Sequence, residues 1–136
     1  MMMKRFANSA LAMMLFMMAC SLPATAAAVL CTQCGMDVDL NSKFSAKIVQ
    51  GNTTHYFCDI GDLLSYLQAK DTESDGALVK DYISGEWVKA RIAFYVRAAG
   101  KFSTPMGWGI AAFKEKGQAS QFGMVMDFDE VVKALK

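Results

Sequence analysis

The sequence predicts an α+β fold of two tandem ββαβ units, with mostly antiparallel sheet and a C-terminal helix, on three observations. Two strand-forming runs flank a Gly-Asn turn, a helical run with apolar residues at i, i+3, i+4 and i+7 follows, and the same order recurs in the second half. Hairpins rather than long crossovers join most neighbours, which favours antiparallel pairing.

Phe44 to Gln50 has strand propensity, Gly51-Asn52 is a two-residue turn signal, and Thr53 to Cys58 resumes with Thr, Tyr and Phe. Asp59 then offers a helix N-cap, and Ile60, Leu63, Leu64 and Leu67 recur at helical spacing through Lys70. Asp71 to Gly76 is polar loop, and Leu78 to Ile83 reads as a third strand ended by Ser84-Gly85. In the second half, Ile92 to Ala98 and Gly109 to Phe113 read as strands, Lys114 to Phe122 as a weaker helix holding Gly117, and Met124 to Met126 as a short strand. Asp127 or Asp129 caps a final helix that buries Val131, Val132 and Leu135. The expected core draws on Phe44, Ile48, Phe57, Leu63, Leu64, Leu67, Val79, Tyr82, Trp87, Ile92, Phe94, Val96, Phe113 and Phe122.

Residues 1–26 read as an export signal: Lys4 and Arg5, an apolar stretch from Leu11 to Ala19, and small residues at Ala24-Thr25-Ala26. Residues 27–136 are then expected to form a single domain, long enough to bury a core without a disulfide framework. Met17-Met18-Ala19-Cys20 loosely resembles a lipobox, so membrane attachment is expected only if Cys20 is lipidated. Without the leader, 12 basic residues face 13 acidic ones, a net of −1 that gives no basic field for nucleic acid. Of the 11 methionines, Met36, Met106, Met124 and Met126 remain.

Three cysteines also remain: Cys31, Cys34 and Cys58. An odd number cannot all pair internally, so at least one is expected to carry chemistry. Cys31-Thr32-Gln33-Cys34-Gly35-Met36 gathers two thiols and a thioether, soft donors that select ions such as Cu(I). The same cysteines with His55 and Cys58 spell Cys-x2-Cys-x20-His-x2-Cys, close to a structural Cys3His zinc site. Residues three apart on a strand point to opposite faces, so His55 and Cys58 share an ion only if the strand ends between them. His55 otherwise reads as an exposed polar residue, and Cys58 as a small buried hydrophobe. Met106, in Pro105-Met106-Gly107-Trp108-Gly109, sits in an irregular loop where a core methionine is unusual. A thioether binds Cu(I) but hardly Zn(II), so Met106 discriminates the metals. Trp108 either shields such a site or packs. No Ser/His/Asp set, phosphate-binding glycine loop or paired carboxylates suggest catalysis, and no catalytic residue is expected.

Taken in order, Cys31-x-x-Cys34-Gly35-Met36, Phe57-x-Asp59, Asp81-Tyr82-x-x-Gly85-Glu86-Trp87 and Pro105-Met106-Gly107-x-Gly109-x-x-Ala112-Phe113 make the chain resemble the NosL family, exported accessory proteins of nitrous oxide reductase. The resemblance covers essentially the whole chain after the leader. It implies two ββαβ units and a periplasmic copper chaperone that binds one Cu(I) and delivers it for assembly of the reductase's copper centres; a copper donor protein is a further partner to expect of such a carrier. It also implies a ligand set that includes Cys31 or Cys34 and Met106, with Met36 matching the motif. Many members are lipoproteins with a clear lipobox, and Cys58 stands where a non-ligand often occurs. A Phe-Cys-Asp segment beside Cys-x-x-Cys is similar to small TRASH-type modules. Two other classes therefore stay open: a zinc-stabilised structural or interaction module, and a periplasmic thiol oxidoreductase.

Overall fold

The computed structural model describes residues 22–136; the lipobox-like segment at Cys20 and most of the expected signal lie outside them. The predicted hairpin forms as β1 (Ala46–Gln50) and β2 (Thr53–Phe57), with Ala46 opposite Phe57 and Gln50 opposite Thr53. Gly51 takes the first central position of the two-residue loop with φ +58°, a conformation open to glycine at little cost. The chain then enters α1 (Ile60–Lys70) through Asp59, whose carboxylate accepts from the Gly61 N–H at 3.1 Å. Leu63, Leu64 and Leu67 form the buried stripe of this helix, which packs on β1 and β2.

Strand β3 (Ala77–Lys80) returns beside β1, and β4 (Trp87–Lys89) adds an outer strand, so the four-stranded sheet runs β2-β1-β3-β4 with every pair antiparallel. The third strand is shorter than the sequence suggests, because from Asp81 the chain closes into a loop ended by Gly85 at φ +76°. Strand β4 was not legible: three residues carry too little periodicity. A 3-10 turn over Ala90–Ile92 leads to β5 (Phe94–Arg97), which pairs antiparallel with β6 (Ile110–Phe113).

The second unit repeats the order of the first. As β1 is flanked by β2 and β3, so β5 is flanked by β6 and by Met126, which bridges Tyr95. Its helix is reduced to one turn, α2 (Lys116–Ala119), because Gly117 weakens it and Glu115 makes no side-chain cap. The expected Met124–Met126 strand is likewise only a bridge at Met126. Helix α3 (Phe128–Lys133) starts in a capping box, with Asp127 accepting from the Glu130 N–H and Glu130 accepting from the Asp127 N–H, each at 2.8 Å. The mixed α+β architecture, its antiparallel pairing and the C-terminal helix are as the sequence predicts.

The core has two parts. One joins Ile48, Phe57, Leu63, Leu64 and Val79 to Tyr95 and Ile110, tying the units together. The other is an aromatic cluster of Phe44, Tyr82, Phe102, Phe113 and Phe122. Ile92, expected inside, is 67 % exposed, because it closes the 3-10 turn rather than starting the strand. Tyr95, which the sequence reading passed over, is fully buried, and its hydroxyl donates to the Ala90 carbonyl at 2.5 Å.

Tyr95→Phe strands that buried carbonyl. We expect a loss of about 1–3 kcal/mol in unfolding free energy with an unchanged urea m-value; a change within 0.5 kcal/mol of zero, the range usual for surface substitutions, would mean that water takes over the carbonyl.

Candidate metal centre

Loop 31–36 is tied into the sheet at its start. Cys31 bridges Tyr56 in parallel, the Thr32 N–H donates to the Tyr56 carbonyl at 2.9 Å, and the loop closes on itself through Cys31 N–H to Met36 O and Gly35 N–H to Cys31 O, both 2.8 Å. Gly35 supplies the left-handed turn at φ +76°. The closed frame holds Cys31 and Cys34 beside the end of β2. Cys58 follows that strand directly, where the backbone turns into α1, so strand alternation no longer governs its side chain.

The result is a group of four: the Sγ atoms of Cys31, Cys34 and Cys58 and a carboxylate oxygen of Asp62 all lie within 4.8 Å of one another. Cys34 Sγ and Cys58 Sγ are 3.4 Å apart, while the Cys31 and Cys58 thiols stand 3.6 and 3.8 Å from Asp62 Oδ2. Cys31, Cys58 and Asp62 are buried and Cys34 is half-buried. No disulfide joins them.

Asp62 was not foreseen. It reads as an ordinary acidic residue in a first helical turn, and the turn of the chain through the extended Asp59 cap, not helical spacing, brings it to Cys58. Its other oxygen accepts from the Trp108 indole N–H at 2.9 Å. Among the described residues no Lys, Arg or His lies in ion-pair range of this buried carboxylate. Buried carboxylates are ordinarily paired with a cation or bound to metal.

The Met106 loop is pinned to the same helix start. The Met106 N–H donates to Asp59 Oδ2 at 3.0 Å, and the Trp108 indole lies so close over Gly61 that any Cβ there would fall 2.0 Å from the ring. Gly107 and Gly109, at φ +75° and +63°, shape the loop, whose turns close on Thr104. Met106 is 44 % exposed and Met36 47 %, so neither thioether is consumed by the core.

His55 stays outside the group. It lies on β2, three residues before Cys58, with Nδ1 3.5 Å from Thr32 Oγ1 and its ring against Tyr66. The Cys3His set suggested by spacing is therefore not the set assembled here, where Asp62 stands fourth.

Burial pushes the Cys34 and Cys58 thiols above their ordinary range, for Cys58 with the neighbouring Cys34 and Cys31 adding to the effect. A raised value means less thiolate at neutral pH. Alkylation of Cys34 in metal-free protein should thus run slower than that of free cysteine at pH 8 and keep climbing beyond 9.0, the ordinary value. A rate that levels off below that pH would mean a stabilised thiolate instead.

No curated relative matches the chain by sequence. The fold is shared with the crystal structure of the copper chaperone NosL from Shewanella denitrificans, at TM-score 0.62 and 22% identity over 83% of this chain and 99% of that one. The sequence model of the NosL family matches residues 23–135. With nearly the whole described chain inside that match, the protein belongs to the NosL family.

Proposed function

We propose that the chain is an exported Cu(I) chaperone, with copper as its cargo, which it delivers for assembly of the copper centres of nitrous oxide reductase. The observation that carries this reading is the convergence of three thiols on a buried carboxylate that has no basic partner among the described residues. Three sulfurs suit a soft monovalent ion, and the negative charge of Asp62 favours any cation seated among them. The family and the copper chaperone of the same fold agree with it.

Cys31, Cys34 and Cys58 would supply thiolates, with Met106 and Met36 as thioether donors at the exposed side. A site of this kind holds the ion tightly yet leaves an open approach, so an acceptor's ligands can add before the donor's leave. Export would place the exchange in the periplasm, with a donor protein loading the site; membrane attachment would require lipidation of Cys20. Binding releases thiol protons and so weakens in acid.

The role is non-enzymatic in this reading. Burial opposes ionisation of Cys34 and Cys58, so neither is a ready nucleophile at neutral pH. A Cys3Asp zinc site is the second reading, favoured by the four donors within 4.8 Å. Asp62 would then leave its accepted thiol hydrogens and face the ion while Trp108 holds its other oxygen.

Met106 separates the two. Met106→Leu at an exposed loop position keeps the fold and should cost at least about tenfold in Cu(I) affinity in a chelator competition titration, with Zn(II) affinity unchanged. Unchanged Cu(I) affinity would remove Met106 from the site, and preferential zinc uptake by the wild-type chain would favour the structural reading.

A further inference from the structure

The loop that carries Cys31 and Cys34 has a twin. In the second unit, the Asp81 N–H donates to Glu86 O, the Gly85 N–H to Asp81 O and the Tyr82 N–H to Ala112 O, each at 2.8 Å. These are the three bonds of loop 31–36, residue for residue, with Cys31 N–H to Met36 O, Gly35 N–H to Cys31 O and Thr32 N–H to Tyr56 O. Asp81 bridges Ala112 in parallel as Cys31 bridges Tyr56, and Gly85 repeats Gly35 at φ +76°. Lys80 opposes Trp87 as Leu30 opposes Asp37.

The register continues through the hairpins. Tyr56 pairs with Lys47 and Ala112 with Tyr95, so Phe113 answers Phe57 and Lys114 answers Cys58, each just before a helix N-cap, Asp59 or Glu115. The thiol positions Cys31, Cys34 and Cys58 thus correspond to Asp81, Ser84 and Lys114.

These counterparts also converge. The Asp81 carboxylate is buried to the same 3 % exposure as Cys31. Its Oδ1 accepts from the Lys114 N–H at 3.0 Å, and its Oδ2 from the Ser84 N–H at 2.9 Å and the Ser84 hydroxyl at 2.7 Å. Glu86, the counterpart of Met36, sets its carboxylate 3.8 Å from the Lys114 ammonium. One side chain therefore ties together the positions that carry thiols in the first unit.

We propose that Asp81, Ser84 and Lys114 form a closed counterpart of the thiol site, in which the Asp81 carboxylate does for loop 81–86 what a bound metal ion does for loop 31–36. The second unit is locked from within and takes no ion. The first has only weak thiol hydrogen bonds in the equivalent place, so its loop tightens when the ion enters. The second half of this statement rests on the metal-binding reading above; the first half does not. The locked Asp81 carboxyl lies below its usual range: burial opposes this, but Ser84 and the Lys114 N–H outweigh it.

Two measurements test the proposal. Amide hydrogen exchange of the metal-free chain should show Tyr82 and Gly85 better protected than Thr32 and Gly35. One equivalent of Cu(I) should raise protection at Thr32 and Gly35 alone. Asp81→Ala should lower protection at Tyr82 and Gly85 by at least about tenfold, the cost of one charged acceptor, with or without copper. Protection at Tyr82 and Gly85 unmoved by Asp81→Ala would overturn the lock. The second test opens the twin: D81C/S84C/K114C should bind one more equivalent of Cd(II) than wild type, read by thiolate-to-metal absorption. A folded triple variant with no extra equivalent would overturn the equivalence. If wild type itself binds no Cu(I), the chaperone reading fails, while the Asp81→Ala exchange still reads the lock.

Discussion

The site depends on one constraint, the hydrogen-bonded closure of loop 31–36 against the edge of β2. With Thr32 N–H on Tyr56 O and Gly35 in a left-handed turn, Cys31 and Cys34 are delivered to the spot where β2 ends and Cys58 leaves the strand. The thiols meet because the sheet, not the side chains, holds them together. The same closure appears at loop 81–86, where a carboxylate finishes it, so the frame is a property of the ββα unit rather than of the cysteines.

Helix α1 is the second support. Its N-terminal turn is crowded with function: Asp59 caps the helix and holds the Met106 backbone, Gly61 makes room for the Trp108 indole, and Asp62 stands between that indole and the thiols. The Met-Gly loop of the second unit is thereby fastened to the thiol cluster of the first. One helix turn thus holds both the thiol group of the first unit and the Met-Gly loop of the second.

Much of this was legible in the sequence, and the exceptions have physical causes. The hairpin, the Asp59 cap and α1 follow from turn chemistry and 3.6-residue periodicity, and both act locally. The three cysteines could be singled out because an odd number, in a chain whose first residues read as an export signal, resists a structural explanation. Asp62 could not, since an acidic residue in a first helical turn is ordinary and its indole partner, Trp108, lies 46 positions away. His55 matches a zinc site by linear spacing, while in the structure its ring meets Thr32 and Tyr66 and the fourth donor beside the thiols is Asp62. The kinship of Asp81 and Cys31 was hidden for a related reason: the two residues share a backbone environment but no chemistry, and only the hydrogen-bond pattern aligns them.

In the proposed chaperone, a copper ion sits among Cys31, Cys34 and Cys58 with His55 outside. X-ray absorption at the copper edge, on protein loaded anaerobically with one equivalent of Cu(I), reads this ligand set. A first shell made of sulfur alone, without imidazole scattering, is the predicted result. An imidazole signature that vanishes in His55→Ala would contradict it.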